Sequence, residues 1–558
     1  MIAILLAIGI SFGLCSFIAA KEGPNPASNI DAPEFSAASG FYDSAFYLTI
    51  DAQEGATIYY TLDCSEPDKN SKIYVQPLLV DNATLHENVY SMRMDTSAGF
   101  YVDLIDRFQT LDSDPGYKQP DFLVDKCTIV RAIAVSKSGS VSAIATATFF
   151  VGVRPEEYDN CNIICISTDP KNLFDQKTGI YVTGDVFEKY LFNGRMNRNW
   201  RFWEANYRQR GHEWEREATF HFFDKAGKLV LSKQGGIRTH GGVSRGTLPR
   251  SLNLYAREEY DGSEKFGVHL FGNEYDAQRI TLASGGNQLI TQFNDYMMTE
   301  RMHGLNFAVT AFEPYVLFLN GEYWGFYWLT EKYDEDYLEY YYNVDPDNVV
   351  LVKNNSLEIG NTEDFALYRQ MQEYVANNDM SIAKNYEEAC RLIDIDSFID
   401  YYATMIYIAR SEDWPGGNTA LWRTREIRDN QYSDGKWRWL LFDCNSTSMN
   451  YDLRVIEHDT LKYVIKKDAT FAALWENELF RERFEKRIMQ IADECFEPND
   501  MSVFIDNYND MMLPRLSESW ARFYGSDNEK LDEYYKKMNG IMRFFCERKA
   551  EVENWFAA

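Results

Sequence analysis

The sequence predicts a multidomain chain, an N-terminal all-β sandwich of immunoglobulin-like kind followed by a large α+β domain. Three observations predict it. At 558 residues the chain exceeds what one hydrophobic core organises, and its 45% apolar content is ample for more than one. Between residues 32 and 152, apolar residues alternate with a period of two in short runs separated by turn residues, as in half-buried strands. From Asn162 onward, such runs are interleaved with segments whose apolar residues recur at helical spacing.

Residues 1–20 hold the strongly apolar run Ile2 to Ala20, closing on Phe17-Ile18-Ala19-Ala20 before Lys21-Glu22. Small residues after such a stretch predict an export signal cleaved near Ala20. No Lys or Arg precedes the run, so part of the signal is expected to be missing from the recorded start. Cys15 is an alternative lipid anchor, although Gly13-Leu14 before it fits a lipobox poorly. No later run reaches the roughly 18 apolar residues that span a bilayer. The mature chain is therefore expected outside the cytoplasm: secreted, periplasmic or at the cell surface. A short polar linker, 21–31, follows.

The net charge of -29 argues against nucleic-acid binding, because phosphates repel such a surface, and disfavours anionic lipid. Nine cysteines do not decide the compartment. Cys161 and Cys165 sit roughly 13 Å apart along an extended strand, too far to bridge each other. Cys64 and Cys127 can pair if their strands are neighbours. No Cys-x-x-Cys pair and no ligand-like histidine spacing point to zinc.

Within 32–152, Phe46 to Ile50 and Thr57 to Leu62 alternate as strands, and Thr128 to Val135 pairs with Ala143 to Phe150 around Ser138-Gly139-Ser140. Gly40-Phe41-Tyr42, then Ile58 to Pro67 and Ser71 to Tyr74, resemble the C-terminal β-sandwich of chitobiase and β-hexosaminidases, with Cys64 in place of a usual glycine. The turn chemistry of Asp63, Ser65 and Pro67 explains this motif structurally, which predicts a spacer rather than a sugar-binding module.

The α+β domain, 158–558, opens with strand Asn162 to Ser167. Thr219 to Phe223 and Lys228 to Ser232 form a hairpin around Asp224 to Gly227, and Gly235 to Arg250 is rich in Gly and Arg. Residues 287–304 read as helix. Pro314 to Leu319 and Glu322 to Leu329 flank Asn320-Gly321, the strongest short hairpin signal. The aromatic residues Tyr323, Trp324, Tyr327 and Trp328 are expected in a core. Residues 363–412 and 470–556 are mostly helical.

The chemistry concentrates at Ser411 to Asn418. A helix, Ser397 to Arg410, ends in a Pro-Gly-Gly loop carrying Asp413 and Asn418. A hairpin of Ala420 to Thr424 and Lys436 to Phe442 then delivers Asp443. Phosphoryl transfer needs one carboxylate to orient or deprotonate the acceptor hydroxyl, and an amide and a second carboxylate to hold the metal. Protein kinases space the catalytic Asp and Asn as D-x-x-x-x-N, which Asp413 and Asn418 repeat. Taken alone, that spacing is common, and Asp in a Pro-Gly loop is usually a turn former.

Several segments resemble the spore-coat protein H (CotH) kinase family: Asp175 to Gly184, Gly236 to Arg245, Pro249-Arg250-Ser251-Leu252, Asn320 to Tyr327 with Glu331-Lys332, and Asp413 to Asn418 with the Trp-rich strand into Asp443. They run in family order from about Asn162 to Asp452. The resemblance implies a divergent two-lobed kinase fold, with lobes of roughly 158–350 and 351–558. It implies transfer of the ATP γ-phosphate to Ser or Thr of a protein, with Mg2+ or Mn2+. Asp413 would be the catalytic aspartate, with Asn418, Asp443 and Asn445 at the metal. Arg250 stands at a position the family usually gives to a catalytic Lys. Arg238, Gly241, Gly242 and Arg245 would face the phosphates, although these glycines do not match G-x-G-x-x-G and also suit a tight turn. Glu331 would pair with a base near the nucleotide, or form a strand-end ion pair.

Three departures bear on activity: Arg250 for Lys, Asn445 for the second Asp of Asp-x-Asp, and Ser411 for Asn. They keep open a pseudokinase or surface-assembly protein. A carbohydrate-associated module is the third reading. The expected partner is a protein substrate, with basic or Ser/Thr-rich segments as candidate acceptors, alongside surface or coat assembly partners.

Overall fold

The computed structural model describes residues 30–101, 117–193, 197, 199–411, 414–445, 453–525 and 528–557. The expected signal with Cys15, most of the linker, and Asp413 lie outside them. Among the described residues no helix is long and apolar enough to cross a membrane.

The N-terminal region is β-rich, as its alternation requires. Its main sheet has five strands, with Thr128–Val135 at the centre between Thr57–Thr61 and Ala145–Val151. Short pairs, Phe46–Leu48 with Leu78–Val80 and Glu34–Phe35 with Ile50–Asp51, accompany it. The predicted run 46–50 is thus broken between two pairings. Leu48, Ile50 and Val80 pack with Val130, Ala132, Ala147 and Phe149 in a small core.

Residues 162–330 close into a seven-stranded barrel, a closure the sequence did not reveal. Asn162–Ser167 lies parallel to Phe312–Leu319 and antiparallel to Arg216–Phe223. With neighbours on both edges, Ile163, Ile164, Cys165 and Ile166 are all fully buried, so the strand reads as a continuous apolar run rather than an alternating one. Ile164 and Ile166 enter the barrel core with Phe220, Leu254, Leu317 and Tyr327, whereas Ile163 and Cys165 face a second core shared with the N-terminal region and the helices. The Asn320-Gly321 turn has both residues at positive φ, 49° and 88°, the conformation a two-residue hairpin demands. Tyr323, Trp324, Tyr327 and Trp328 are buried core residues. At Gly325, φ is 101°, and a Cβ would stand 2.7 Å from Ser519 Oγ on helix Pro498–Tyr524. Close helix-on-barrel packing explains that glycine.

The N-terminal β-rich region is fastened to the barrel. Glu322 is buried, and its carboxylate accepts the backbone N–H groups of Val89, Tyr90 and Ser91 at 2.5, 3.1 and 2.7 Å. Cys127 N donates to Gly321 O, and Phe150 packs on Phe318. All eight described cysteines are free. The Cys127 and Cys165 sulfurs lie 3.8 Å apart across this junction, while Cys64 and Cys127, a pair conditional on neighbouring strands, are both free thiols.

Beyond the barrel, a four-stranded sheet, Ser356–Ile359, Val349–Lys353, Ala420–Thr424 and Arg438–Leu440 in spatial order, is backed by helices. Helix Ile395–Tyr407, N-capped by Asp394, is buried at every residue except Asp396. Helices 478–495, 498–524 and 528–556 complete the C-terminal region. The predicted helix at 287–304 is shorter, Asn294–Met302, after a loop and a turn of 3-10 helix.

Candidate functional site

The hairpin after the Pro-Gly-Gly loop forms as its sequence predicts, with Ala420 opposite Leu440 and Leu421 opposite Trp439. Antiparallel pairing therefore brings Asn418, two residues before Ala420, and Asp443, three after Leu440, out at the same end. Both have positive φ, 46° and 52°, which Asn and Asp tolerate better than other side chains. A second turn meets them there. Asn354-Asn355, also at positive φ, closes the neighbouring hairpin, and Asn354 N donates to Thr419 O at 2.9 Å. Lys353, just before that turn, holds its ammonium 3.8 Å from the Phe442 ring centre, with Asp443 among the charges acting on it.

Two residues that sequence reasoning missed, one buried and one half-buried, fix this end. Arg410, fully buried after the helix, donates to Phe442 O at 3.1 Å and to Asp443 O at 2.6 Å. Asp295, in the first turn of helix Asn294–Met302, accepts the Cys444 N–H at 2.7 Å and bonds the Asn445 side chain. Burial and the Asp443 carboxylate together push the Asp295 carboxyl upward. Two carboxyl groups and the Asn445 amide, whose N–H donates to Asp295, thus meet in one half-buried place. That donor set suits a hard divalent cation, which Asp443 and Asn445 would hold, with Asn418 at the same hairpin end. Helix 294–302 offered no motif to flag Asp295. Only its long-range packing does.

The Gly-rich turn reaches the same place. Gly241 has φ of 108°, and a Cβ there would lie 2.3 Å from Ser244 Oγ; around Gly242 the space is open. A Cβ on Gly286 would come 3.3 Å from Ser244 Cβ and 3.9 Å from Asn445 Nδ2, so the turn lies beside Asn445. At its base stands His240, held well below its ordinary value by burial and by Lys332, Lys353, Arg245 and Arg210. Burial, with Arg279 and Lys353 nearby, brings Lys332 itself down to about 8. Lys332 and Lys353 share this place with Glu358, whose carboxylate acts on both.

The remaining predicted residues are differently employed. Arg245 is buried, and its guanidinium is spent on the carbonyls of Gly241, Arg208 and Gln209, at 2.8, 3.0 and 2.6 Å, so it shapes the turn. Arg238 donates to Tyr255 OH at 3.1 Å and lies 3.9 Å from Glu215. Arg250 is fully buried, stacked 3.8 Å from the Tyr207 ring centre, and donates to Arg245 O and Thr96 O. Its place is beneath the turn, where it supports Arg245. Glu331 is met by Ala311 N–H and Tyr341 OH, at 2.8 and 2.7 Å, rather than by a base. Among the described residues His212, Glu215 and Glu259 lie close enough to share a metal, but Glu215 is already committed to Arg257, at 2.7 and 2.9 Å, and to Tyr260.

Comparison with protein families matches residues 237–552, more than half of the chain, to the family described as CotH kinase protein. The match begins inside strand Leu229–Thr239 and includes all the residues gathered at the hairpin end. Residues 48–149 match the family described as Fn3 associated. Comparison with curated proteins finds no match.

Proposed function

The chain belongs to the CotH kinase family, and from that membership we propose that it is an exported, atypical protein kinase transferring the γ-phosphate of ATP to Ser or Thr of a protein. The observation that carries this reading is the meeting of Asp443, Asn445 and Asp295 beside the Gly241–Ser244 turn, with Lys332 and Lys353 close by. On this reading the barrel is the N-terminal lobe and the helical region after about residue 350 the C-terminal lobe.

Asp443, Asn445 and Asn418 would hold Mg2+ or Mn2+, which would supply positive charge against the triphosphate. Lys332 and Lys353 add fixed positive charge, and the open side of Gly242 lets phosphate oxygens approach backbone. Asp413 orients the acceptor hydroxyl and takes its proton as the oxygen bonds to the γ-phosphorus. The bond from that phosphorus to the β–γ bridging oxygen breaks, and ADP leaves. Asn445 supplies one carboxylate fewer than the family pattern, and Asp295 returns one to the cluster.

A pseudokinase reading is favoured by that same Asn445 and by the buried position of Arg250. Incubation with γ-labelled ATP and either metal separates the two. The kinase reading expects label in the protein itself or in a Ser-containing substrate, lost in Asp413→Asn. Absence of label with both metals contradicts it.

A further inference from the structure

Two thiols meet where the N-terminal β-rich region rests on the barrel. Cys127 directly precedes strand Thr128–Val135 of that region, and Cys165 lies within barrel strand Asn162–Ser167. Both are buried, Cys165 completely, and their sulfurs are 3.8 Å apart. One turn sets both backbones. Asn320 N donates to Ile166 O at 2.8 Å, and Gly321 O accepts from Cys127 N at 2.9 Å. The Cys165 sulfur is also met by Ser167 Oγ at 3.9 Å, by the Thr148 side chain and by the Gly321 N–H. Burial favours its neutral thiol, but these partners together with Cys127 outweigh burial and hold Cys165 below the usual thiol range.

We propose that Cys127 and Cys165 form a disulfide under oxidising conditions, a covalent bolt between the N-terminal region and the barrel. The inference is independent of the phosphotransferase reading. Bond formation requires the sulfurs to close from contact to about 2.05 Å, a short movement for two side chains already facing each other. The oxidant is a small disulfide, such as oxidised glutathione. While the junction is open, the Cys127 thiolate attacks one sulfur of the oxidant, leaving a mixed disulfide and releasing one glutathione thiolate. As the junction closes, the Cys165 thiolate attacks the Cys127 sulfur and expels the second. The two protein thiols lose two electrons and two protons, which the two glutathione thiols carry away. Once made, the bond is enclosed with its two residues, so a reductant reaches it only when the junction opens. Cys64, near enough for its charge to act on Cys127, is the competing partner.

The test uses the purified, reduced full chain. It is held in a buffer of reduced and oxidised glutathione, with and without urea below the unfolding midpoint to let the junction open. Samples are then denatured in guanidinium with N-ethylmaleimide, digested and mapped by mass spectrometry. The expected product is a peptide containing Cys127 joined to one containing Cys165, formed faster in urea and lost on reduction. After removal of urea, the joined protein should resist dithiothreitol that cleaves the same bond at once in guanidinium. Its melting midpoint should exceed that of the reduced protein by at least ~3 °C. Cys64→Ala should leave the cross-link in place, whereas Cys165→Ala should remove it. Maleimide on both Cys127 and Cys165 in every wild-type sample overturns the proposal, whether or not the variants fold. So does a wild-type map that joins Cys127 to Cys64.

Discussion

Arg410 donates to the backbone carbonyl of Asp443 at 2.6 Å from a fully buried position, tying the end of the central helix to the turn that presents the Asp443 carboxylate. A second donation, to Phe442 O, makes the guanidinium fork a two-point template for that turn. Asp443 sits at positive φ, so its direction depends on what holds the backbone there.

Arg410→Met should therefore do two things. Leaving buried carbonyl acceptors unpaired costs about 2–4 kcal/mol, read as a lower urea midpoint at unchanged slope. ATP affinity measured on the folded fraction should also fall. Arg410→Lys is expected to recover only part of either, since an ammonium cannot reproduce the planar fork.

Asp295→Asn tests whether that carboxyl belongs to the cation cluster. The amide oxygen can still accept the Cys444 N–H, so folding should survive while a charge is lost. Affinity for ATP with Mg2+ is expected to drop about tenfold, seen by titration calorimetry. Unchanged affinity would reduce Asp295 to a cap for Cys444.

Arg250→Met should act on stability. The side chain is enclosed, stacked on Tyr207 and bonded to two carbonyls, so its loss is expected to cost about 2–4 kcal/mol. Transfer per folded molecule should fall far less than in Asp443 variants. Chemical denaturation, paired with activity corrected for the folded fraction, separates the two effects.

The pH dependence of nucleotide binding should report Lys332. Its ammonium is held down to about 8, so it is charged below that pH and neutral above it. A bound triphosphate favours the charged form, so binding takes up protons near pH 8, and affinity weakens as pH rises from about 7.5 to about 9.5. Lys332→Met should flatten the profile. Calorimetry in buffers of different ionisation enthalpy reads the proton uptake directly.

Local rules made much of this architecture readable in the sequence. Asn320-Gly321 specified its turn because few residues accept paired positive φ, and the run from Ala420 to Asp443 specified a hairpin whose two ends must coincide. What stayed hidden was non-local. Strand 162–167 pairs with 312–319 across some 150 residues, and no local pattern announces that closure. Arg410 and Asp295 looked like ordinary helix-end residues; burial against a distant turn gives them their roles. Arg245 misled for the converse reason, because an arginine beside glycines resembles a phosphate ligand until its donors are found on backbone carbonyls.

The most direct measurement compares phosphate transfer from ATP by the wild type and by Asp443→Asn, a substitution that keeps a side chain tolerant of the left-handed backbone. The kinase account predicts an unchanged unfolding midpoint, with transfer reduced at least ~100-fold under both Mg2+ and Mn2+. Transfer that persists in the folded variant would contradict the account.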